Sequence, residues 1–261
     1  MLEKNTKPVN LKLENIFFAY NGDYVLSNVS TTIQDGDFIA LVGPNGSGKS
    51  TFIKCLNKIL SPQKGIVFLE NKNIARISYK DLAKKMAYVP QKEQSHLSLT
   101  VFDYILTGRK PYIHWKPGAS DLKKVAEIIS TFQIDDIAMK DINKISGGQY
   151  QMISIARAIA QEPRILLLDE PTANLDIKHQ IEIMELLKTL SKNGISIIIT
   201  LHDINTAIRY ANKFIMLKNK SVFIEGGKEI MTKKNIEELY TIKVNVVQQP
   251  DGLFVIPSGL F

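Results

Sequence analysis

The chain has 261 residues, with 33 Lys plus Arg against 26 Asp plus Glu and a net charge of +7. Hydrophobic residues make up 44% and charged residues 23%, the balance of an ordinary globular protein, which excludes a disordered, collagen-like or coiled-coil chain. A single cysteine, Cys55, excludes an internal disulfide framework and fits a reducing compartment. The length allows one large domain or two small ones. No stretch approaches the ~18 consecutive apolar residues that span a bilayer. The first twenty residues carry Glu3, Lys4, Lys7, Lys12 and Glu14 where a secretory leader needs an apolar run, so neither secretion by that route nor insertion in a membrane is expected. No basic run exceeds a few residues, and the positive charge reads as a Lys-rich solvated surface.

The first forty residues read as β-structure. Val9, Leu11 and Leu13 alternate with polar residues, Asn21-Gly22-Asp23 supplies a turn, and 29–33 leads to a second turn at Asp35-Gly36-Asp37. Phe38–Val42 is a continuous apolar run, as expected of a strand covered on both faces, and it ends in a glycine-rich loop followed by a helical stretch over 49–59. Leu122, Val125, Ala126, Ile129 and Phe132 fall at helical spacing behind Ser120 as N-cap. Ile165–Leu168 and 195–199 return to strand-like runs, with a helical pattern over 181–190 between them. That alternation predicts a parallel α/β sheet. Residues 213–225 read as a hairpin turning near Asn219, followed by a helix over 233–240 and alternating residues at 244–247 and 253–256.

Gly43-Pro44-Asn45-Gly46-Ser47-Gly48-Lys49-Ser50-Thr51 matches G-x-x-x-x-G-K-[ST] in the required setting, after a strand and before a helix. Glycines let backbone amides approach phosphate oxygens, the helix N-terminus adds positive potential, and Lys49 supplies a charge to the β- and γ-phosphates. Ser50 is placed to ligate Mg²⁺. Ile165–Leu168 reads as a buried strand delivering Asp169 to the carboxyl edge of the sheet, where ligands bind in open parallel sheets. Asp169 would hold Mg²⁺, and Glu170 is a candidate for polarising the attacking water. Ile145-Ser146-Gly147-Gly148-Gln149, ahead of an apparent helix with Ile153, Ala156, Arg157 and Ala160, presents a second set of amides, a hydroxyl and a helix N-terminus suited to an anion.

Together these motifs, from about Leu11 to Gly226, resemble the ATP-binding cassette family. ISGGQ is similar to its signature sequence, with Ile145 where Leu is usual. The resemblance implies an α/β fold: a P-loop (RecA-like) parallel sheet core, an N-terminal antiparallel β-subdomain and an inserted α-helical subdomain. It implies one nucleotide-binding domain over 1–261, with 1–92 and 155–225 as β-subdomain and P-loop core, 93–154 as helical subdomain and 226–261 as a short extension. In the family, the signature of one subunit closes over the γ-phosphate held by the P-loop of another. The resemblance therefore implies a homodimer around two MgATP, with Ser146, Gly147, Gly148 and Gln149 serving the partner's nucleotide. Tyr20 matches the aromatic that stacks on adenine, and Gln91, in YVPQ, the residue that senses Mg²⁺ and the γ-phosphate. Asp176, in ANLD, matches the loop that communicates across the dimer, where Asn174 replaces the more frequent Ser. His202, in ITLHD, matches the histidine on the γ-phosphate.

The segment 92–115 would receive a cytoplasmic helix of a separate integral membrane permease. VFDYILTGR (101–109) and LDIKHQ (175–180) resemble importers of iron–siderophore complexes, haem and cobalamin. An extracytoplasmic substrate-binding protein and a peripheral position on the cytoplasmic face of the membrane follow from that resemblance. The rival reading is a cassette ATPase that assists iron–sulfur assembly without a permease. A nucleic-acid partner ranks last, because members of that kind carry coiled coils or zinc modules, and this chain has neither heptads nor a cysteine pair.

Overall fold

The computed structural model describes residues 10–91 and 98–261. Val9 and the first part of 92–115 lie outside them. In chain order the elements are β1 (Leu11–Tyr20), β2 (Asp23–Ile33), β3 (Phe38–Val42), α1 (Lys49–Leu56), β4 (Lys64–Leu69), β5 (Lys72–Asn73), α2 (Tyr79–Ala83) and β6 (Met86–Val89). Then come α3 (Val101–Leu106), α4 (Ala119–Thr131), α5 (Gly147–Ile159), β7 (Ile165–Leu168), α6 (Ile177–Lys192) and β8 (Ser196–Thr200). The chain continues through α7 (Ile204–Tyr210), β9 (Lys213–Lys218), β10 (Ser221–Gly226), α8 (Lys233–Tyr240), β11 (Ile242–Gln249) and β12 (Gly252–Leu260).

Six strands form the central sheet in the order β10-β9-β3-β8-β7-β6, parallel except for the β9–β10 hairpin. Asn219 and Lys220 turn that hairpin with φ of 49° and 70°. Two positive values in succession match the right-handed twist of the flanking strands. The run Phe38–Val42 is wholly buried because its two faces serve two different cores. Ala40, Val42, Leu166, Leu168, Ile197 and Ile199 face the helical side, whereas Ile39, Leu41, Ile165, Leu167 and Ile198 face α1 and the antiparallel sheet β2-β1-β4-β5. The period-2 alternation thus persists inside runs that contain no polar residue.

The helical stripe read from the sequence over 122–132 needs correction. α4 starts at Ala119 behind Gly118, whose amide donates to Asp121 Oδ2 at 3.0 Å, so Ser120 lies inside the helix and is not its cap. Leu122 is 43% exposed and Ala126 is also exposed; Val125, Ile128, Ile129 and Phe132 turn inward. Apolar residues outnumber the positions one face can bury, and tertiary packing selected the 125/128/129/132 set. α1 stops at Leu56, short of the expected 59, with Lys58 in left-handed geometry at φ 62°. The carboxyl-terminal pattern closes as α8 and a β11–β12 hairpin.

Candidate nucleotide site

Four adjacent parallel strands end at one edge of the sheet, and each delivers a residue there. β3 runs into Gly43, β8 leads to His202, β7 to Asp169 and Glu170, and β6 to Gln91. Strands in register make that convergence inevitable: Val89 pairs with Leu168, Leu168 with Ile199, and Leu41 with Thr200.

Residues 43–51 wrap from the end of β3 into α1. Gly43 adopts φ 151°, and a Cβ there would lie 2.2 Å from the Leu217 carbonyl oxygen, so only glycine fits. Gly48 opens α1 in left-handed geometry with no side-chain cap, leaving the first-turn amides facing the loop. Ser47 is buried and its Oγ has no hydrogen-bond partner. Pro44, Asn45 and Gly46 form the outer lip, and Thr51 is buried in the first turn. Orphan amides and a buried orphan hydroxyl around a helix N-terminus form a cradle with the donor chemistry of phosphate. Lys49, 6% exposed, donates from Nζ to the Gly43 and Pro44 carbonyls at 2.8 and 3.0 Å. Burial lowers its ammonium from the ordinary lysine range, against the opposing pull of Glu170 and Asp169.

Asp169, 2% exposed, accepts from Ser50 Oγ at 3.0 Å and from Thr200 Oγ1 at 2.8 Å, both on Oδ1. A buried carboxylate and a hydroxyl at this spacing are hard oxygen donors. They fit Mg²⁺, which takes few protein ligands and completes its shell with water and phosphate. Thr200 Oγ1 also accepts from the Glu170 amide at 2.7 Å. Glu170 has φ 49°, uncommon for a side-chain-bearing residue. Its carboxylate is held between Gln91, whose Nε2 donates to Oε2, and His202, whose Nε2 lies 2.7 Å from Oε1. Lys49, Ser50, Gln91, Asp169, Glu170 and His202 are therefore one cluster.

Tyr20 stands apart from that cluster, 46% exposed at the end of β1 and edge-on to Phe18 with ring centroids 4.8 Å apart. Ser146 caps α5: its Oγ accepts from the Gln149 amide and the Gln149 Oε1 accepts from the Ser146 amide, each at 3.3 Å. Ser146 and Gly147 are exposed. Gly148 is buried against the His179 ring, which an added Cβ would strike at 2.5 Å. His179 is fixed in turn by Asp176, which caps α6 and lies 2.8 Å from the ring Nδ1. The His179 amide comes first among the causes that hold the Asp176 carboxyl below the ordinary range, ahead of its ring. Asn174 occupies φ 60°, a geometry Asn tolerates better than the Ser common at this position in the family it resembles.

Two contributors went unassigned from the sequence. Thr200 was visible inside ITLHD, but its link to Asp169 depends on β7 and β8 being neighbours. His179 sat inside LDIKHQ, and its contact with Gly148 needs the packing of α6 on α5.

A family model described as "ABC transporter" matches residues 26–173. An ABC transporter ATP-binding protein of Methanocaldococcus jannaschii is 40% identical, with 95% of this chain and 98% of the relative covered. The chain belongs to the ABC transporter family. It is an ATPase subunit of such a transporter. The petrobactin import ATP-binding protein of Bacillus subtilis is 36% identical over 90% of this chain and 94% of its own length. The ferric enterobactin transport ATP-binding protein of Escherichia coli is 34% identical over 95% and 94%. Among solved structures, an ABC transporter assigned to the metal-chelate type, in an inward-facing conformation, superposes with TM-score 0.83 at 28% identity, covering 97% of this chain and 98% of that one. A dimeric post-hydrolysis ATP-binding cassette bound to ADP and Pi gives 0.73 at 32%, covering 83% and 98%. Among the described residues no helix is long and apolar enough to cross a membrane.

Proposed function

We propose that the chain powers uptake of an iron chelate through a separate integral membrane permease, as a head-to-tail homodimer closed over two MgATP. The observation that carries the hydrolysis in this reading is the Glu170 carboxylate, held by Gln91 and His202 beside the phosphate cradle. Residues 43–51 bind the phosphates and Tyr20 stacks on adenine. Ser50 and Asp169 would hold Mg²⁺, which supplies charge neutralisation for the β- and γ-phosphates when bound.

Glu170 accepts a hydrogen bond from the attacking water and orients its lone pair toward the γ-phosphorus. Glu170 takes a proton from that water as the water oxygen bonds to the γ-phosphorus, the bond to the β–γ bridging oxygen breaks with its electron pair staying on ADP, and the products are ADP, phosphate and the proton, passed on to phosphate or solvent. Lys49 offsets charge on the β- and γ-oxygens, and Gln91 and His202 hold the water and γ-phosphate in line. Ser146, Gly147, Gly148 and Gln149 of the second copy close the site from the other side, and Asp176 lies on the loop that links the two sites. Support for pairing comes from the dimeric cassette of similar fold. The iron-chelate assignment rests on the petrobactin and enterobactin relatives. Trp115, 95% exposed within 92–115, supplies an apolar anchor for a permease helix on the cytoplasmic face, and an extracytoplasmic binding protein would deliver the cargo.

Glu170→Gln is expected to bind ATP, accumulate as a dimer and hydrolyse roughly a hundredfold or more slowly, the scale of a lost general base. Lys49→Ala should lose nucleotide affinity instead. Sedimentation and phosphate release on the purified variants check both; normal turnover in Glu170→Gln refutes the assignment of the base. Co-purification of the wild type with a multi-span permease, followed by uptake of ferric chelates into reconstituted vesicles, tests the transport reading. Recovery with iron–sulfur assembly factors alone would overturn it.

A further inference from the structure

Tyr20 stands at the tip of the β1–β2 hairpin, which turns through Asn21 and Gly22 with φ of 49° and 93°. The hairpin is seated against the start of α1. A Cβ on Gly48 would lie 2.8 Å from the Val25 carbonyl oxygen and 2.9 Å from Leu26 Cδ2. Leu26 pairs across the hairpin with Phe18, and the buried Phe18 ring is the one that meets Tyr20 edge-on. A line of packing therefore runs from the first turn of the phosphate-loop helix to the ring assigned to adenine.

The backbone under that ring is held from the other edge of β1. β4 pairs with β1 as far as Phe17, opposite Lys64, and the Gln63 amide donates to the Phe17 carbonyl at 2.9 Å. The ladder stops there, two residues short of Ala19. Gln63 continues it with its side chain: the Ala19 amide donates to Gln63 Oε1, and Gln63 Nε2 donates to the Ala19 oxygen, both at 2.9 Å. In antiparallel pairing the N–H and C=O of one residue face the same neighbour, and a carboxamide offers the matching acceptor and donor. Gln63 is exposed, so water can replace these bonds and they add little to folding stability. Their effect is on geometry. They pin the residue before Tyr20 where the register of β1 against β2 shifts, between Phe18 and Ala19, and the regular ladder no longer fixes the strand.

We propose that Gln63 is a positioning residue for nucleotide recognition: its carboxamide fixes the backbone beneath Tyr20 and so sets where that ring meets the adenine of ATP. An aromatic platform at a hairpin tip contributes most when it is already in place, because ordering it on binding subtracts from affinity. The triphosphate, held by residues 43–51, does not depend on Gln63. This inference rests on the role proposed above for Tyr20.

The test is Gln63→Leu in the full chain, followed by calorimetric titration with ATP and with inorganic tripolyphosphate, ATPase kinetics and thermal melting. ATP affinity should fall and KM rise roughly fivefold, the value of about one hydrogen bond, with kcat within about twofold and Tm nearly unchanged. Tripolyphosphate, which has no base, should bind as it does to wild type. Gln63→Met, which keeps the length of the side chain without the carboxamide, should match Gln63→Leu. Wild-type ATP affinity in either variant overturns the proposal. Equal weakening of ATP and tripolyphosphate also overturns it, by placing the effect at the phosphate loop, and so does a large fall in Tm, which would make the carboxamide a folding element. In a Tyr20→Ala chain, Gln63→Leu should weaken ATP binding no further; additive losses are fatal. Tyr20→Ala alone separates the two claims. Wild-type ATP affinity there sinks the adenine role and the inference with it, whereas weakened binding there beside normal binding in Gln63→Leu sinks the inference alone.

Discussion

Glu170 holds the left-handed conformation at φ 49° because Thr200 receives its amide and two neighbours grip its carboxylate. A side-chain-bearing residue in that region carries strain of about 1 kcal/mol or more, met here by the surrounding bonds. Gly148 poses the complementary case, a residue small because something presses on it. Gly148→Ala would drive a methyl group into the His179 ring, which Asp176 prevents from swinging away, at a cost of about 1–3 kcal/mol. His179→Ala in the same chain should restore most of that loss, and a double-mutant cycle on Tm values measures the coupling. Equal losses in the single and double variants would show that the ring is not the obstacle. Residues 43–51, Asp169 and Glu170 could be picked out because phosphate chemistry constrains a glycine-rich loop and the carboxylates at a strand end, whereas Gln91 and His202 were matched only through the family resemblance. Thr200 and His179 were found by neither route, because their partners lie on elements brought together only by folding.

Among elements, α3, α4 and α5 are held by one buried guanidinium. Arg109 donates from Nε to Asp121 at 3.0 Å and from Nη1 to the Ala160 carbonyl at 2.8 Å and to Glu162 at 2.7 Å, while its plane stacks 4.1 Å from the Tyr112 ring centroid. Arg109→Met would leave the buried Asp121 carboxylate without its cation, while Glu162 keeps Lys124 at 2.9 Å, and would cost about 3 kcal/mol, whereas an exposed pair such as Lys178–Glu182 is worth under about 1 kcal/mol. The Gly118 amide, followed by Arg109, holds the Asp121 carboxyl below its ordinary range. A depressed carboxylate stabilises above its unfolded pKa and loses that contribution as pH falls through the folded value. Acid below about pH 4 should therefore loosen the α3–α5 region, and amide exchange across 119–131 should rise there in wild type. In Arg109→Met the same rise should already be present at neutral pH. The sequence pattern located α4 and placed Leu122 and Ala126 in its apolar stripe, yet both are exposed. Helical spacing supplies a stripe; it does not say which edge of a wide stripe the neighbouring helices leave open.

At the scale of the molecule, strand identities could be read from apolar runs, while strand order could not. Phe38–Val42 looked like a central strand because a run with no polar residue needs cover on both faces. Nothing in it names β8 and β9 as its neighbours. Those pairings join Ile39 to Ile198 and to Lys213, far apart along the chain. The same remoteness governs the order of events during synthesis. As the polypeptide leaves the ribosome, the glycine-rich loop emerges long before the strands that flank β3, and it must wait with an apolar strand uncovered. Stalled nascent chains halted once β7 has cleared the exit tunnel should fail to crosslink an azido-ATP probe, whereas those halted after β10 should label. Labelling at the earlier length would mean that the loop is shaped locally. For as long as translation takes to run from β3 to β8, the newborn subunit therefore carries its central strand without either neighbour.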